Sequence, residues 1–264
     1  MKGRVLIVAG SDSGGGAGIQ ADIKSVTALN AYAMTAITAL TAQNTEGVFG
    51  VHAVPVDFIR QQMELCLSDI GADAIKTGML HNAQVIETVV ETLARLAPTV
   101  PLVVDPVMVA KGGHRLLDPG AEQALRAKLL PRAAILTPNI PEAEALSGLA
   151  IADAPAMERA AAALGKMGAA AVLLKGGHME GAMVRDLLWT VQGSEVFESP
   201  RIATRHTHGT GCSLASAIAA GLAQGMGMRD AVARARAYVQ EAIRTAPGLG
   251  HGHGPLNHAH TVRP

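Results

Sequence analysis

Short runs of β-branched and aliphatic residues alternate with longer alanine-rich stretches along most of the chain. The short runs predict strands at residues 5–9, 35–40, 73–76, 102–104, 134–137 and 171–174. The longer stretches predict helices at residues 17–30, 56–70, 83–97, 121–130, 155–167, 210–224 and 229–246. Because a helix separates each predicted strand from the next, the pattern indicates a mostly parallel central sheet with helices on both faces.

Two further apolar runs, at residues 187–190 and 195–198, flank a short segment that contains Gln-Gly-Ser. This arrangement predicts an antiparallel hairpin at an edge of the sheet. Aromatic residues make up only 2% of the chain, so alanine, valine, leucine and isoleucine must fill the core. Since no linker or repeat interrupts the pattern, we expect residues 1–264 to form a single domain.

Composition excludes several classes of protein. The 22 basic and 22 acidic residues balance, and a neutral chain lacks the positive field that non-specific nucleic-acid binding requires. No apolar run reaches the roughly 20 residues that a membrane-spanning helix needs. The two cysteines, Cys66 and Cys212, lie in different local settings, which indicates a reducing compartment rather than a disulfide framework. We therefore expect a cytoplasmic protein with neither nucleic acid nor membrane as a partner.

Polar clusters follow the carboxyl ends of the predicted strands. They occupy residues 10–12, 41–44, 77–79, 105–106, 137–139 and 175–178. In open α/β sheets these strand ends share one edge, where ligands bind in a crevice. Residues far apart in the chain should therefore converge at one site, although the pattern does not specify the order of the strands.

The first of these clusters opens a glycine-rich loop at residues 10–18. Glycines let backbone N–H groups approach a ligand closely and permit positive φ. The spacing of these glycines fits neither the dinucleotide-binding fingerprint nor the phosphate-binding P-loop of the nucleoside triphosphatases. A ligand-binding loop and a simple strand-to-helix turn both remain open here.

A second glycine-containing segment, His-Thr-His-Gly-Thr-Gly-Cys-Ser at residues 206–213, opens an apolar helix. Unpaired N–H groups at the positive end of a helix form an anion site suited to phosphate. Cys212 falls in the first turn, where the same field is expected to lower the pKa of its thiol. It could then act as a base or a hydrogen-bonding group beside a transferring phosphoryl group, or it could be only a small buried residue.

Charged and amide side chains follow three other strands. Asn139 and Glu142 lie one helical turn apart and could reach a hydrated Mg²⁺, or they could cap a helix. Asp105 and Lys175 could neutralise a metal and stabilise phosphate charge, or they could form a salt bridge at the rim. Because these four residues share one position at the predicted sheet edge, the pattern favours the functional interpretation.

These motifs together resemble those of the hydroxymethylpyrimidine/phosphomethylpyrimidine kinases, a family of the ribokinase-like superfamily. The resembling segments lie at residues 9–22, 37–45, 76–80, 105–108, 136–142, 174–178, 207–212 and 250–258. The resemblance implies a three-layer α/β/α ribokinase-like fold, usually dimeric, with ATP and Mg²⁺ as cofactors. It also implies phosphorylation of 4-amino-5-hydroxymethyl-2-methylpyrimidine, first to the monophosphate and then to the diphosphate, in thiamine biosynthesis.

The resemblance extends to individual site residues. On the substrate side it implies an amide that reads the pyrimidine amino edge, two apolar ring walls and a residue of the lining loop, which are Gln43, Met79, Val107 and Asp12. On the phosphate side it implies two magnesium-side acids, a phosphate-contacting lysine, nucleotide-side groups and an anion hole, which are Asp105, Glu142, Lys175, Asn139, Thr207, Gly209, Thr210 and Gly211. Cys212 takes the position at which the wider superfamily usually carries an aspartate base. His206 departs from the family, in which asparagine is more usual.

Three other functions remain open at this stage. A pyridoxal or pyridoxine kinase would use similar parts on another hydroxymethylated heteroaromatic ring. A ligand-sensing domain would keep the pocket without turnover. A cysteine-dependent acyl transferase would need a histidine and an acid beside Cys212, and only His206 and His208 lie nearby in the sequence. For a kinase, residues 110–117 are the candidate lid over the site.

Overall fold

The computed structural model describes residues 1–110, 112–118 and 120–262. These residues contain a nine-stranded sheet with the strand order β3-β2-β1-β4-β5-β6-β7-β8-β9. The strands are β1 (Arg4–Asp12), β2 (Tyr32–Gln43), β3 (Val48–Ala53), β4 (Ala74–Thr77), β5 (Leu102–Val104), β6 (Ile135–Leu136), β7 (Ala171–Leu174), β8 (Met183–Thr190) and β9 (Gly193–Pro200). Six neighbouring strands, β2-β1-β4-β5-β6-β7, are parallel to one another. Strands β3, β8 and β9 pair antiparallel with their neighbours. The mostly parallel sheet and its edge hairpin are therefore confirmed.

Helices cover both faces of this sheet. They are α1 (Gly18–Ala28), α2 (Val56–Asp69), α3 (Ala83–Leu96), α4 (Ala121–Ala124), α5 (Ile140–Ser147), α6 (Ala154–Lys166), α7 (Thr210–Ala223) and α8 (Met228–Arg244). The helix predicted at residues 121–130 is α-helical only over α4, and a π turn (Leu125–Leu129) and a 3₁₀ turn (Leu130–Arg132) continue it. None of the helices in the described ranges is both long and apolar enough to cross a membrane.

The core consists of two apolar layers, one on each side of the sheet. Successive strand residues point to opposite faces, so Leu6 joins one layer while Val5 joins the other. Helices α2 to α6 cover the Leu6 side, and α1, α7 and α8 cover the Val5 side. The three-layer architecture that the resemblance implied is confirmed.

The sequence analysis did not predict two of the secondary-structure elements. Strand β3 carries Gly50 in its middle and only half-buried or exposed side chains, so it lacks a strand's alternating pattern. Helix α5 is only eight residues long and was considered solely as the alternative in which Asn139 caps a helix. Both elements follow directly after polar clusters of the sheet edge, so they help to build that edge.

Helix α7 begins in close contact with the glycine-rich loop. Gly209, its N-cap residue, has φ of 82°, and a Cβ atom there would lie 1.8 Å from the carbonyl oxygen of Gly16. Only glycine fits such a left-handed conformation at so close an approach. The two glycine-containing segments singled out in the sequence therefore meet above the strand ends.

Candidate active site

A cleft of about 930 Å³ opens at the carboxyl ends of the parallel strands. The structure brings every site residue expected from the sequence to its walls: Asp12, Gln43, Met79, Asp105, Val107, Asn139, Glu142, Lys175, Thr207, Gly209, Thr210, Gly211 and Cys212. The cleft extends along the strand ends from Gln43 at the end of β2, past the apolar residues Met79 and Val107, to Lys175 beyond β7. The cleft can therefore hold a small ring and a phosphorylated ligand side by side.

Asp12 organises the glycine-rich loop from within. Its carboxylate accepts hydrogen bonds from the backbone N–H groups of Gly14 (2.8 Å), Gly16 (3.1 Å) and Ala17 (2.8 Å). Burial acts to raise the pKa of Asp12, but the hydrogen bonds from His208 and from the loop N–H groups outweigh it and lower the pKa below its usual value. Asp12 is therefore an anion that shapes the loop.

The apolar end of the cleft is formed around Met79 and Val107. A Cβ atom on Gly10 would lie 3.0 Å from the Met79 sulfur, so the glycine leaves room for the methionine to enter the cleft. The hydroxyl of Thr38 donates to the Met79 carbonyl oxygen (2.6 Å) and fixes that segment. The Gln43 side chain lines the cleft beside these apolar residues.

The start of α7 presents backbone donors to the cleft. Glycine at the N-cap position supplies no side chain to satisfy the first N–H groups, and no other described side chain caps this helix. The Thr210 hydroxyl instead donates to the Thr207 carbonyl oxygen (2.7 Å), which holds the turn closed. An anion in the cleft would therefore find unpaired N–H donors at the positive end of the helix.

The expected effect of this helix on Cys212 is wrong. Burial raises the pKa of the Cys212 thiol to about 12, the charge of Lys76 opposes this, and the carboxylates of Asp22 and Asp105 add to it. The cost of removing a thiolate from water outweighs the field of the helix, because the half-buried thiol is closely surrounded by protein groups. Cys212 therefore carries its proton at neutral pH.

Two carboxylates and one ammonium group converge at the charged end. Asp105 and Glu142 are buried, and the Lys175 ammonium lies 3.2 Å from the Asp105 carboxylate. Burial raises the pKa of Glu142 to about 7, although Lys175 opposes this, and repulsion from Asp105 adds to it. The cluster is short of positive charge, and its hard oxygen donors are those that Mg²⁺ prefers.

Asn139 and Glu142 form a reciprocal cap on α5. The Glu142 carboxylate accepts from the Asn139 backbone N–H (2.8 Å), and the Asn139 side-chain oxygen accepts from the Glu142 backbone N–H (2.9 Å). The capping alternative considered from the sequence is therefore confirmed. Contact of either residue with a metal or a nucleotide stays a prediction.

Comparison with known proteins decides between the families that such a cleft could serve. A family model described as phosphomethylpyrimidine kinase matches residues 12–257, which include the cleft residues from Asp12 to Cys212. The chain belongs to the phosphomethylpyrimidine kinase family. Members of this family therefore provide the reference for its fold and its site.

Two curated relatives illustrate the extent of the match. The chain is 48% identical to a hydroxymethylpyrimidine/phosphomethylpyrimidine kinase of Streptomyces coelicolor over 254 residues, which cover 96% of this chain and 93% of that protein. It is 52% identical over 257 residues to a thiamine biosynthesis bifunctional protein of Geobacter sulfurreducens. That match covers 97% of this chain but 52% of the relative, so the chain spans about half of the bifunctional protein.

Solved structures of two kinds of vitamin kinase share the fold. A phosphomethylpyrimidine kinase of Clostridium difficile is 42% identical with a TM-score of 0.82, covering 92% of this chain and all of that chain. An ADP complex of a Bacillus subtilis pyridoxal kinase is 37% identical with a TM-score of 0.91, covering 98% of both chains. The ribokinase-like fold is thus confirmed, and the fold alone does not separate the two substrate classes.

The sequence analysis did not predict a buried ion pair that lies beneath Cys212. The Lys76 ammonium lies 2.9 and 2.8 Å from the two carboxylate oxygens of Asp22, and both side chains are fully buried. The Ser216 hydroxyl also donates to Asp22 (2.7 Å), and Ser216 lies one helical turn after Cys212 on α7. The usable signal was a lysine inside a short apolar strand, because such a charge requires a buried partner.

The end of the cleft beside β7 and β8 also contains residues that the sequence analysis missed. Asp186 on β8 pairs with Arg236 on α8 (2.7 Å) and accepts from the Gly176 backbone N–H (2.9 Å). Both side chains line the cleft. Their convergence depends on the position of β8 in the sheet, which the sequence pattern did not specify.

The candidate lid forms a small turn at the mouth of the cleft. The Ala110 N–H donates to the His114 carbonyl oxygen (2.8 Å), and Val109 forms an isolated antiparallel β-bridge with Arg115. Val109, Ala110 and Arg115 line the cleft, whereas Lys111 lies outside the described residues. Closure of residues 110–117 over a ligand stays a prediction.

Proposed function

We propose that the protein transfers the γ-phosphoryl group of ATP to 4-amino-5-hydroxymethyl-2-methylpyrimidine and then to the resulting monophosphate. The observation that carries this proposal is the continuity of the cleft from an apolar pocket with one amide, at Gln43, to an anion-binding helix start. The similarity to a hydroxymethylpyrimidine/phosphomethylpyrimidine kinase of Streptomyces coelicolor supports the same assignment. The diphosphate product would serve thiamine biosynthesis.

Positioning supplies most of the rate enhancement in this mechanism. Met79 and Val107 hold the ring so that its hydroxymethyl oxygen faces the transferring phosphoryl group. The oxygen forms a bond to the γ-phosphorus while the bond from the γ-phosphorus to the bridging oxygen of ATP breaks, and ADP leaves with that electron pair. Lys175 and the backbone N–H groups of Gly209 and Gly211 stabilise the charge that develops on the phosphoryl oxygens, while the Thr210 N–H donates to the Thr207 carbonyl oxygen.

Asp105 and Glu142 are the residues that would hold Mg²⁺. Their excess negative charge and oxygen donors fit a cation that keeps most of its waters and is bound by one or two carboxylates. When bound, Mg²⁺ would neutralise charge on the phosphate groups of ATP. The described residues contain no cluster of three or more acids, histidines or cysteines that could hold a metal without such phosphate ligands.

Cys212 is proposed to act only when the acceptor is an alcohol. The hydroxymethyl group must lose a proton as its oxygen bonds to phosphorus, and the Cys212 sulfur is the group proposed to take it. Because the resting thiol is protonated, it must first lose its own proton to the solvent. The monophosphate is already ionised as an acceptor and needs no such help.

Substrate profiling tests this proposal against the pyridoxal kinase alternative, which the similarity to a solved pyridoxal kinase keeps open. We expect ADP release with Mg-ATP and either pyrimidine at least about tenfold faster than with pyridoxal, because Gln43 offers paired donor and acceptor groups to an aminopyrimidine edge. An assay without acceptor measures background hydrolysis. Turnover of pyridoxal alone would overturn the proposal, and turnover of no acceptor would favour a ligand-sensing domain.

A second copy of the chain is the proposed partner of the β2–β3 edge. Leu40, Phe49, Phe58 and Leu65 expose 45%, 74%, 55% and 63% of their surface there, and Phe58 and Leu65 lie about two turns apart on α2. We expect the protein to sediment as a dimer and F49E to weaken the dimer at least about tenfold. Val191, 78% exposed at the opposite edge of the sheet, provides the matched control V191E. A wild-type monomer at micromolar concentration would contradict the proposal.

A further inference from the structure

The His208 side chain links the glycine-rich loop to the substrate-facing amide. Its Nε2 atom lies 2.8 Å from the Asp12 carboxylate and 3.1 Å from the side-chain amide of Gln43. The ring is held in place because a Cβ atom on Gly16 would lie 2.5 Å from its Cδ2 atom, and the His208 backbone N–H donates to the Gly254 carbonyl oxygen. His208 thus has one orientation, directly before the anion-binding residue Gly209.

The Asp12 carboxylate decides which atom of His208 carries a hydrogen. An ionised carboxylate can only accept, so Nε2 must donate to it. This holds for both the neutral and the charged ring, since Nε2 carries its hydrogen in each. A nitrogen that donates in this way has no lone pair for an amide N–H of Gln43. The contact from His208 to Gln43 is therefore favourable only when the amide presents its oxygen.

The hydrogen bonds of the Thr41 hydroxyl give a second, independent reason for the same orientation of the Gln43 amide. Thr41 donates its single hydrogen to the Ser11 carbonyl oxygen (2.9 Å). The Gln43 side-chain oxygen is placed 3.1 Å from the same hydroxyl, which has no second hydrogen to donate, so this contact becomes favourable when the amide is turned by 180° and its NH₂ group faces Thr41. The two ends of a carboxamide have nearly the same shape, so these hydrogen bonds, and not packing, decide its orientation. The hydrogen-bond balance therefore assigns the oxygen of Gln43 to the His208 side and its NH₂ group to the Thr41 side, opposite to the placement in which its Nε2 lies 3.1 Å from His208 Nε2 and its oxygen lies 3.1 Å from Thr41.

We propose that His208 is a specificity-determining residue, because it fixes the direction in which the Gln43 amide presents its acceptor and its donor to the substrate ring. The inference rests on the proposed function and deepens it. An aminopyrimidine edge carries an N–H donor beside a ring-nitrogen acceptor, which matches the fixed acceptor and donor of the amide in one register only. A pyridine ring with a phenolic oxygen lacks this paired edge and gains less from the fixed amide.

The test replaces His208 with phenylalanine, which keeps an aromatic ring and removes the N–H. We expect the KM for the pyrimidine to rise about tenfold, the KM for ATP to stay within about twofold, and the preference over pyridoxal to fall about tenfold. His208→Gln supplies a new amide N–H donor and should recover part of the lost preference. A purely structural role would instead lower kcat and raise the KM for ATP through the neighbouring anion-binding turn, and would overturn the proposal.

A second pair of variants keeps the proposal testable if the His208 variants fail to fold. Thr41→Val removes the hydroxyl acceptor without touching His208 or Asp12, and Thr41→Ser keeps that hydroxyl. We expect the KM for the pyrimidine to rise several-fold in Thr41→Val and to stay near the wild-type value in Thr41→Ser. Equal KM values in both variants would overturn the proposal that the Gln43 amide is held in one orientation. Wild-type protein that phosphorylates only pyridoxal would instead refute the proposed function, so the two failures are distinguishable.

Discussion

Cys212→Ala is expected to slow phosphorylation of the hydroxymethylpyrimidine about 10²-fold or more, and phosphorylation of its monophosphate by less than about tenfold. The alcohol must lose a proton to become a good nucleophile, whereas the phosphate acceptor is already an anion. Single-turnover assays that follow each product separately would measure both steps. Cys66→Ala is the matched control, because Cys66 lies on α2, outside the cleft.

The pH dependence of the two steps sharpens this prediction. Burial raises the pKa of the Cys212 thiol to about 12, so its thiolate fraction grows about tenfold for each pH unit below that value. The first step should therefore accelerate between about pH 7 and pH 9 in the wild-type protein and lose this dependence in Cys212→Ala. The second step should vary less. An equal loss of both steps at every pH would contradict proton transfer to Cys212 and indicate a role in shaping the anion site.

The contrast between Cys212 and the strand ends shows what a sequence can specify. Polar residues at the carboxyl ends of β1, β2, β4, β5, β6 and β7 could be assigned to one edge because parallel strands end on the same side. The same reasoning placed Cys212 in the first turn of a helix but did not include how deeply the thiol is buried. Desolvation depends on every element around a group, so the predicted direction of its pKa shift was wrong.

The features that the sequence analysis missed depend on contacts between residues that lie far apart in the chain. Asp186 meets Arg236 only because β8 follows β7 at one side of the sheet, and no local pattern encodes that position. Strand β3 exists because β2 offers it a partner, although Gly50 weakens its own preference. By contrast, the capping of α5 by Asn139 and Glu142 is local and was considered from the sequence.

The buried pair of Lys76 and Asp22 has the largest expected effect on stability. Lys76→Met should lower the free energy of unfolding by about 3–5 kcal/mol, because it leaves the Asp22 carboxylate buried without its counter-charge. Unfolding in urea, followed by circular dichroism, would measure the change. Lys128→Met is the matched control, because Lys128 and Glu87 form a pair with 49% and 41% exposed side chains whose loss should cost less than about 1 kcal/mol.

Combining Lys76→Met with Asp22→Asn separates the charge of the pair from its packing. The double variant buries no unpaired charge, while the asparagine oxygen can still accept from the Ser216 hydroxyl. We therefore expect it to recover most of the stability that Lys76→Met loses. A double variant as unstable as the single one would show instead that the long lysine side chain is needed to fill the space beneath Cys212. The measured interaction free energy between the two substitutions thus decides whether charge or volume holds the floor of the cleft together.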